Sequence, residues 1–223
     1  MFVRDFMTKD PLTIEPDTTY PEAIAIMREK KIRRLPVMKK GKLVGIVVEK
    51  DLLSSQPSPA TTLSIHEMYT LLEQLKVGQI MISPVVTATP QCPMEAAAGI
   101  MIDRKIGSLP VMDGDKLVGI ITETDIFKAF VNVLGGSVEG VRLTIELPDQ
   151  PGQLAKIAED IAAVNGNILA VTTTNINKDA TSEVTIKETG ADEDALKARL
   201  EAHDIKIVDM RSNIDYSPAE YGK

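Results

Sequence analysis

The sequence predicts an α+β protein built from two copies of one β-α-β-β-α unit and a third unit of the order β-α-β-β-α-β. The first observation is an internal repeat, in which Leu35-Pro36-Val37-Met38 returns 74 residues later as Leu109-Pro110-Val111-Met112. The second is a change of pattern after Gly135-Gly136, where apolar and polar residues begin to alternate. An ungapped repeat of this length indicates one supersecondary unit copied in tandem.

The repeat extends well beyond this motif. The stretch from Lys42 to Val47 (KLVGIV) corresponds to the stretch from Lys116 to Ile121 (KLVGII). The same offset of 74 relates further pairs: Met7 and Met81, Thr13 and Thr87, Pro16 and Pro90, Met27 and Met101, Asp51 and Asp125. Paired methionines favour flexible core filling over metal binding.

Each repeat is predicted to contain a short extended piece, a helix, a two-stranded hairpin and a second helix. The first helix of repeat one begins at the capping box Thr19-x-x-Glu22, after which Ala23, Ile24 and Met27 follow helical spacing. The other predicted pieces are the extended segments Leu12–Ile14 and Val85–Thr87, the strands Leu35–Met38 and Leu43–Val48, the turns at Lys40-Gly41 and Gly114-Asp115, and helices from Glu49 and Glu123.

The C-terminal unit follows a different plan. Val141, Leu143, Ile145 and Leu147 alternate with polar residues, which predicts a half-buried strand. After a turn at 148–152, an amphipathic helix is predicted with its apolar face formed by Leu154, Ile157, Ala158, Ile161 and Ala162, ending at Asn165-Gly166. Strands at Ile168–Thr174 and Ser182–Lys187, a helix at Asp192–Ala202 and a strand at Ile205–Met210 complete a ferredoxin-like unit.

These patterns divide the chain into five parts. Residues 1–55 and 77–134 are the two repeats, and residues 138–212 are the C-terminal unit. Residues 56–76 are predicted to be a connector with a loop and a short helix at His66–Leu75, whose apolar side holds Met68, Leu71, Leu72 and Leu75. Residues 213–223 show no periodicity and are predicted to be an irregular tail.

Composition excludes several classes of protein. The longest apolar runs, such as Leu43–Val48, are far shorter than the roughly 18 residues of a membrane span, and the N-terminus lacks the pattern of a signal peptide. The single cysteine, Cys92, excludes an internal disulfide and fits a cytoplasmic location. Neither His66 nor His203 has a Cys or His neighbour at ligand spacing, so no metal site is predicted.

Charge is distributed unevenly. The net charge of −7 argues against nucleic-acid binding. Residues 1–55 are the exception, with eleven Lys or Arg against eight Asp or Glu. The first repeat is therefore the part of the chain best suited to a small anionic ligand.

Both kinds of unit resemble known families. The repeats resemble CBS domains through Leu35-Pro36-Val37, Gly45-Ile46-Val47 and Asp51 with their counterparts, and together they resemble the tandem CBS, or Bateman, module. Leu147-x-Asp149-x-Pro151-Gly152-x-Leu154, followed by Gly166-Asn167-Ile168, resembles an ACT domain. The whole order resembles bacterial acetoin utilization regulatory proteins. The resemblance implies AMP, ADP, ATP or S-adenosylmethionine as a regulatory ligand between the CBS domains.

The resemblance also implies the residues of one nucleotide cleft, which we call cleft 2. Asp125 would hold the ribose with Thr122, because a carboxylate accepts hydrogen bonds from both hydroxyls. Thr122-x-x-Asp125 equally fits a capping box, so a purely structural role is the alternative. The residues assigned to cleft 2 are Thr87, Thr89, Ile106, Gly107, Ser108, Pro110, Thr122 and Asp125.

Cleft 1 belongs to the first repeat and departs from cleft 2 at two places. Val48 replaces Thr122 although Asp51 keeps the carboxylate, which favours a ligand role beyond capping. Arg33-Arg34 replace Gly107-Ser108 and are either a solvated basic helix end or phosphate ligands. The residues assigned to cleft 1 are Thr13, Ile32, Arg33, Arg34, Pro36 and Asp51. We therefore expect two clefts of unequal ligand preference.

In the ACT-like unit, the resemblance implies an amino-acid effector at the strand–helix loop. Asn167 is expected to face the same region as Asp149–Gly152. The alternative is that Pro151-Gly152 is only a turn and Asn165-Gly166 only a helix C-cap, with the unit serving in dimerisation. The residues assigned to this site are Asp149, Gln150, Pro151, Gly152, Leu154, Asn167 and Ile168.

The function expected from these patterns is a non-catalytic ligand sensor. It would bind an adenine nucleotide or adenosyl compound, form a homodimer and signal to a regulated protein, in keeping with acetoin metabolism. The alternative is an interaction scaffold with vestigial sites. Catalysis is disfavoured because the sequence shows no His paired with Ser or Cys and no glycine-rich phosphate loop.

Overall fold

A computed structural model describes residues 1–55, 64–174 and 181–212. The chain forms two compact units, Met1–Phe127 and Lys128–Lys223, and each is described by itself. Residues 56–63 of the predicted connector and the predicted tail, 213–223, lie outside the described residues. None of the described helices is long and apolar enough to cross a membrane.

The elements of the first unit follow the predicted order. They are α1 (Val3–Phe6), β1 (Thr8–Lys9), α2 (Tyr20–Lys30), β2 (Arg34–Lys39), β3 (Lys42–Val48), α3 (Glu49–Ser54), α4 (Ile65–Gln74), a 3-10 turn (Val77–Gln79), α5 (Met94–Arg104), β4 (Ser108–Asp113), β5 (Lys116–Thr122) and α6 (Glu123–Val133), which continues into the second unit. The first core gathers Met27, Leu35, Val37, Val47 and Leu52.

The two hairpins have the same register. Leu35 pairs with Val47 in β2–β3, and Leu109 pairs with Ile121 in β4–β5. The predicted extended pieces are reduced to single parallel bridges, Ile14 with Val37 and Ala88 with Val111. The bridging residue of repeat two therefore lies one position beyond the predicted segment 85–87.

The repeats exchange their N-terminal segments. Thr8 of β1 pairs with Ile120 of the second hairpin, and Ile82 bridges to Ile46 of the first. The methionine before each segment crosses with it: Met7 packs on Gly119, and Met81 packs on Gly45. A Cβ at either glycine would collide with the methionine sulfur, so glycine makes room for the crossing.

Two helix starts are fixed by reciprocal caps. The predicted box at α2 is confirmed, since the Thr19 N–H donates to Glu22 Oε2 at 2.8 Å and the Glu22 N–H donates to Thr19 Oγ1 at 3.4 Å. At α4 the same arrangement forms between Ser64 and Glu67, a cap that was not predicted from the sequence. The short helix predicted at His66–Leu75 is confirmed and runs from Ile65 to Gln74.

The second unit has the predicted β-α-β-β-α-β order. Its elements are β6 (Val141–Pro148), α7 (Gln153–Ala163), β7 (Asn167–Thr174), β8 (Thr181–Thr189), α8 (Glu193–Ala202) and β9 (Lys206–Ser212). The four strands form an antiparallel sheet in the order β7-β8-β6-β9. The core between sheet and helices holds Leu143, Ile145, Ile157, Ile161, Ile186, Leu196 and Leu200.

The buried face of α7 differs from the predicted one. Leu154 is 48% exposed and Ala162 is also exposed, whereas Asp160 is buried. Asp160 accepts a hydrogen bond from Arg199 Nε at 2.8 Å, and its other oxygen lies 2.8 Å from His203 Nδ1. Because α8 and its C-cap residue, His203, supply the two partners, α7 can bury a carboxylate on the side that faces α8.

Candidate functional site

A cavity of about 380 Å³ lies within the first unit and takes its lining from both repeats. The lining residues are Thr8, Asp10, Pro11, Leu12, Lys30, Lys31, Ile32, Arg33, Arg34, Ile120, Thr122 and Thr124. The prediction had placed Ile32–Arg34 in cleft 1 and Thr122 in cleft 2, but the structure brings them into one cavity. The crossing of β1 onto β5 accounts for this, because it places the start of repeat one beside the second hairpin.

Arg34 reaches across the boundary between the repeats. Its side chain is only 17% exposed, and Nη2 lies 3.8 Å from Glu123 Oε2. The guanidinium also lies against Gly107, where a Cβ would collide with it. Burial lowers the pKa of the Arg34 guanidinium and the charge of Arg33 lowers it further, whereas Glu123 and Asp125 raise it.

The predicted pair Thr122 and Asp125 forms a closed capping box. Asp125 Oδ2 accepts from the Thr122 N–H at 2.9 Å and from Thr122 Oγ1 at 2.7 Å, and the Asp125 N–H donates to Thr122 Oγ1 at 3.4 Å. The capping interpretation is thus confirmed. All these contacts of the carboxylate use Oδ2, and Oδ1 has no hydrogen-bond partner among the described residues. A ribose role for Asp125 stays a prediction that this geometry permits.

Repeat one lacks the equivalent cap. Val48 is the N-cap residue of α3 and makes no side-chain cap hydrogen bond. Asp51 lies in the first turn of α3, half-buried, where a negative charge is favourable by itself.

The differences between the repeats converge on the same cavity. Arg33 and Arg34 have Gly107 and Ser108 as their counterparts 74 residues later, and Thr122 has Val48 as its counterpart 74 residues earlier. Because the cavity takes one wall from each repeat, it receives both arginines and the threonine. The three counterparts, Gly107, Ser108 and Val48, are small or apolar. Arg33 and Arg34 also line a second opening, of about 520 Å³, together with Val48.

The remaining predicted cleft residues lie elsewhere. Thr87 lines a separate opening of about 630 Å³ with Lys42–Val44 and Met112. Pro36 and Pro110 are buried, and their carbonyls accept the Ile14 and Ala88 N–H groups. Thr13 and Thr89 are exposed and Ile106 is half-buried, and none of the three lines the 380 Å³ cavity.

Eight lining residues had not been assigned to either cleft from the sequence: Thr8, Asp10, Pro11, Leu12, Lys30, Lys31, Ile120 and Thr124. Thr8 lies in β1 and Asp10 follows it, and only the pairing of β1 with β5 brings them to the cavity. The repeat related Met7 to Met81, but no spacing in the sequence shows that these segments cross to the other repeat.

The residues predicted to form the amino-acid site of the C-terminal unit do not lie together within one chain. Asn167 was expected to face Asp149–Gly152, and this expectation was wrong. Pro148, just before the loop, pairs with Thr181, whereas Asn167 pairs with Thr189 at the other end of β8. Eight residues of strand separate these levels, about 26 Å at roughly 3.3 Å per residue. β6 and β7 both run antiparallel to β8, so they are parallel to each other. The end of β6, which Asp149 follows, and the start of β7, where Asn167 lies, are therefore at opposite ends of the sheet.

Comparisons with known proteins agree with the repeat pattern. The model of the CBS domain matches residues 3–58 and 77–132, and the model of the TTHA0829-like ACT domain matches residues 139–211. The uncharacterized protein MJ1426 of Methanocaldococcus jannaschii is 32% identical over 155 residues, which cover 59% of this chain and 92% of that protein.

Two solved structures are similar over the CBS pair. A putative acetoin utilization protein (AcuB) from Vibrio cholerae has 32% identity and a TM-score of 0.51, covering 62% of this chain and 98% of that one. The CBS domain pair of protein MJ0100, in complex with 5'-methylthioadenosine and S-adenosyl-L-methionine, has 28% identity, a TM-score of 0.50 and the same coverage. The chain therefore belongs to the CBS-domain family, as a tandem CBS pair followed by an ACT domain of the TTHA0829-like type.

Proposed function

We propose that the protein is a non-catalytic regulatory sensor that binds an adenine nucleotide or adenosyl compound in the 380 Å³ cavity. The observation that carries the proposal is the meeting of Arg33, Arg34 and Thr122 in one cavity shared by both CBS domains. The similar CBS pair of protein MJ0100 holds adenosyl ligands, which supports this class of ligand.

The cavity offers complementary groups for the two ends of a nucleotide. Asp125 does not itself line the cavity, but its Oδ2 is held by the lining residue Thr122, and its Oδ1 would accept from the ribose hydroxyls of a bound ligand. Arg33 and Arg34 supply guanidinium forks that match phosphate oxygens. Lys30 and Lys31 add positive charge, and Asp10 is the single acidic residue of the lining. We therefore expect a phosphate-bearing nucleotide to bind more tightly than S-adenosylmethionine.

Ligand binding would act by changing how the protein meets a regulated partner. The similarity to the acetoin utilization protein of Vibrio cholerae favours a role in acetoin metabolism. The protein would act in the cytoplasm as a homodimer. If the ACT domain binds an effector of its own, the coupling must be reciprocal, because each ligand changes the affinity for the other by the same factor.

Calorimetric titration of the full chain with AMP, ATP, 5'-methylthioadenosine and S-adenosylmethionine tests the proposal. We expect AMP or ATP to bind, and Asp125→Ala to weaken binding of every adenosyl ligand that binds. Asp113→Ala is the matched control, since it removes an exposed carboxylate of the same repeat that does not line the cavity. The alternative of a scaffold with vestigial sites predicts no heat from any of the four compounds, and that result would refute the sensor.

A further inference from the structure

A second cavity, of about 530 Å³, lies entirely within the C-terminal unit. It lies beside the end of α6 and takes Arg142 from β6 and Lys187 from β8. These two residues alternate with the core residues Leu143 and Ile186, so they project from the face of the sheet opposite the core. The cavity shares no residue with the nucleotide cavity or with the loop Asp149–Gly152.

Lys187 is the unusual residue of this cavity. It is only 6% exposed, and Nζ donates to the Gly140 carbonyl at 2.7 Å. Within residues 1–55, 64–174 and 181–212, no carboxylate oxygen lies within 4.0 Å of Nζ. An ammonium has three donors, and a buried charge is costly unless an opposite charge accompanies it. The site therefore has donors and positive charge to offer an anion.

The backbone holds this lysine in place. Gly135, with φ of +67°, lies over the aliphatic stem, and a Cβ there would come within 2.9 Å of Lys187 Cγ. The stem is thus covered while the ammonium is bound to the Gly140 carbonyl, next in the chain to the lining residue Glu139. The position of the Lys187 ammonium is therefore determined by its packing against Gly135 and its hydrogen bond to Gly140.

Arg142 supplies a second oriented cation. Its Nη1 donates to Thr144 Oγ1 at 3.1 Å and lies 3.4 Å from Asp209 Oδ2. Asp209 is shared with Arg211, whose Nε donates to it at 2.7 Å. The Nε and Nη2 groups of Arg142 make no hydrogen bond to the described residues, and a guanidinium edge fits a carboxylate. Glu139 is the acidic residue of the lining, so Arg142 and Lys187 outnumber it.

The rest of the lining is largely apolar. Phe130 is 60% exposed and Val138 is 48% exposed, and Val131 and Leu134 complete the wall. A volume of about 530 Å³ falls within the range of small-molecule sites. We propose that this cavity binds a small organic carboxylate with an apolar body, its carboxylate between Lys187 and Arg142 and its body against Phe130 and Val138.

The test uses 4-methylpentanoate as the probe and 4-methylpentan-1-ol as its uncharged counterpart, titrated into the full chain and followed by NMR. We expect saturable binding of the acid and at least roughly tenfold weaker binding of the alcohol, because hydrogen bonds to charged groups contribute most. Lys187→Met should weaken binding of the acid at least about tenfold. Lys206→Met removes an exposed ammonium from the same sheet and should leave it unchanged.

Thermal unfolding without ligand separates this role from a purely structural one. If Lys187 provides an uncompensated buried charge for a ligand, Lys187→Met keeps or raises Tm. A lowered Tm, together with equal affinity of the parent for acid and alcohol, would show that the lysine only holds the Gly140 carbonyl and would overturn the proposal. Arg142→Gln is the second variant, and unchanged affinity for the acid in it would overturn the proposal as well.

The outcome is independent of the nucleotide site. Asp125→Ala should not change binding of 4-methylpentanoate, because Asp125 does not line this cavity. Equal loss of carboxylate binding in Asp125→Ala would assign the acid to the nucleotide cavity and contradict the inference.

Discussion

The guanidinium of Arg34 in the first CBS domain occupies the space that a side chain at Gly107 of the second would need. The position equivalent to Gly107 in the first repeat is Arg33. The second repeat therefore has a glycine where the first has an arginine, and this glycine leaves room for the neighbouring Arg34. The arginine is held 3.8 Å from Glu123 and close to Asp125. The residues at which the two repeats differ, Arg33, Arg34 and Thr122, thus line a single polar cavity.

Gly107→Ala should displace Arg34 and weaken nucleotide binding. A Cβ at Gly107 meets the end of the Arg34 side chain and lies 2.7 Å from Glu123 Oε2, both of which can move, so stability should change little. We expect a loss of phosphate-bearing nucleotide affinity of about tenfold, the scale of one charged hydrogen bond. Calorimetric titration with ATP measures it.

Gly99→Ala is the control for this variant. Gly99 lies inside α5, and a Cβ built there has no atom of the described residues within 4 Å apart from its chain neighbours and the backbone of its own helix. It should stabilise the helix by about 0.5–1 kcal/mol without changing affinity. Unchanged ATP affinity in Gly107→Ala would refute a ligand role for the Arg34 position.

A reciprocal exchange tests the cap that only one repeat possesses. Thr122→Val should lower the free energy of unfolding by about 1 kcal/mol, because Asp125 loses its partner and α6 its N-cap. Val48→Thr should raise it by a similar amount, roughly 0.5–1 kcal/mol, by forming the box with Asp51. The Val48 backbone is already extended, with φ −116° and ψ 141°.

Urea unfolding measures both variants. A Val48→Thr chain that is no more stable than the parent would show that the backbone at α3 does not accept the cap.

Glu188 should make stability depend on pH. Its side chain is fully buried at the end of the core, Oε2 accepts from the Ala191 N–H at 3.2 Å, and Oε1 has no partner among the described residues. Burial raises the pKa of the Glu188 carboxyl above its ordinary value, and this outweighs the Ala191 N–H and the charge of Lys187, which lower the pKa; Glu193 raises it further. The folded state therefore binds the proton more tightly than the unfolded state does.

The sign follows from linkage. The stabilisation is fully present below the unfolded pKa of about 4.5 and is lost as pH rises to the higher folded pKa of Glu188. Glu188→Gln mimics the protonated acid, so it should stabilise the protein near pH 7 by about 1–3 kcal/mol and little at pH 4. Urea unfolding across this range, with the exposed Glu159→Gln as control, measures the difference. A constant difference at all pH values would contradict the assignment.

Asp160 should contribute to stability far more than the exposed ion pairs. It is buried in α7, and its two oxygens lie 2.8 Å from Arg199 of α8 and from His203, the residue that follows α8. Asp160→Asn should lower the free energy of unfolding by about 2–3 kcal/mol, because charged hydrogen bonds to a buried group are lost.

Glu146→Gln, which breaks the exposed pair with Lys206, should cost less than about 1 kcal/mol. A double-mutant cycle between Asp160 and Arg199 should give a larger coupling free energy than the same cycle between Glu146 and Lys206. Equal effects of the two single variants would indicate that burial adds nothing here.

The predictions from sequence were most successful where neighbouring residues decide the structure. The Thr19–Glu22 cap, both hairpins and the β-α-β-β-α-β order depend on residues a few positions apart, and all are present. They were least successful for α7. There Leu154 satisfies helical spacing but is exposed, because Asp160 finds its partners on α8.

By itself, the sequence determined the units, their order and their likeness to CBS and ACT domains, because repeats, hydrophobic spacing and turn residues are local properties. Tertiary structure alone decided which side chains share a site. Pairing of Thr8 with Ile120 brings the first repeat to Thr122, and parallel β6 and β7 separate Asp149 from Asn167. Such pairings join segments far apart in the chain, and side-chain periodicity carries no information about which distant segment will be the partner.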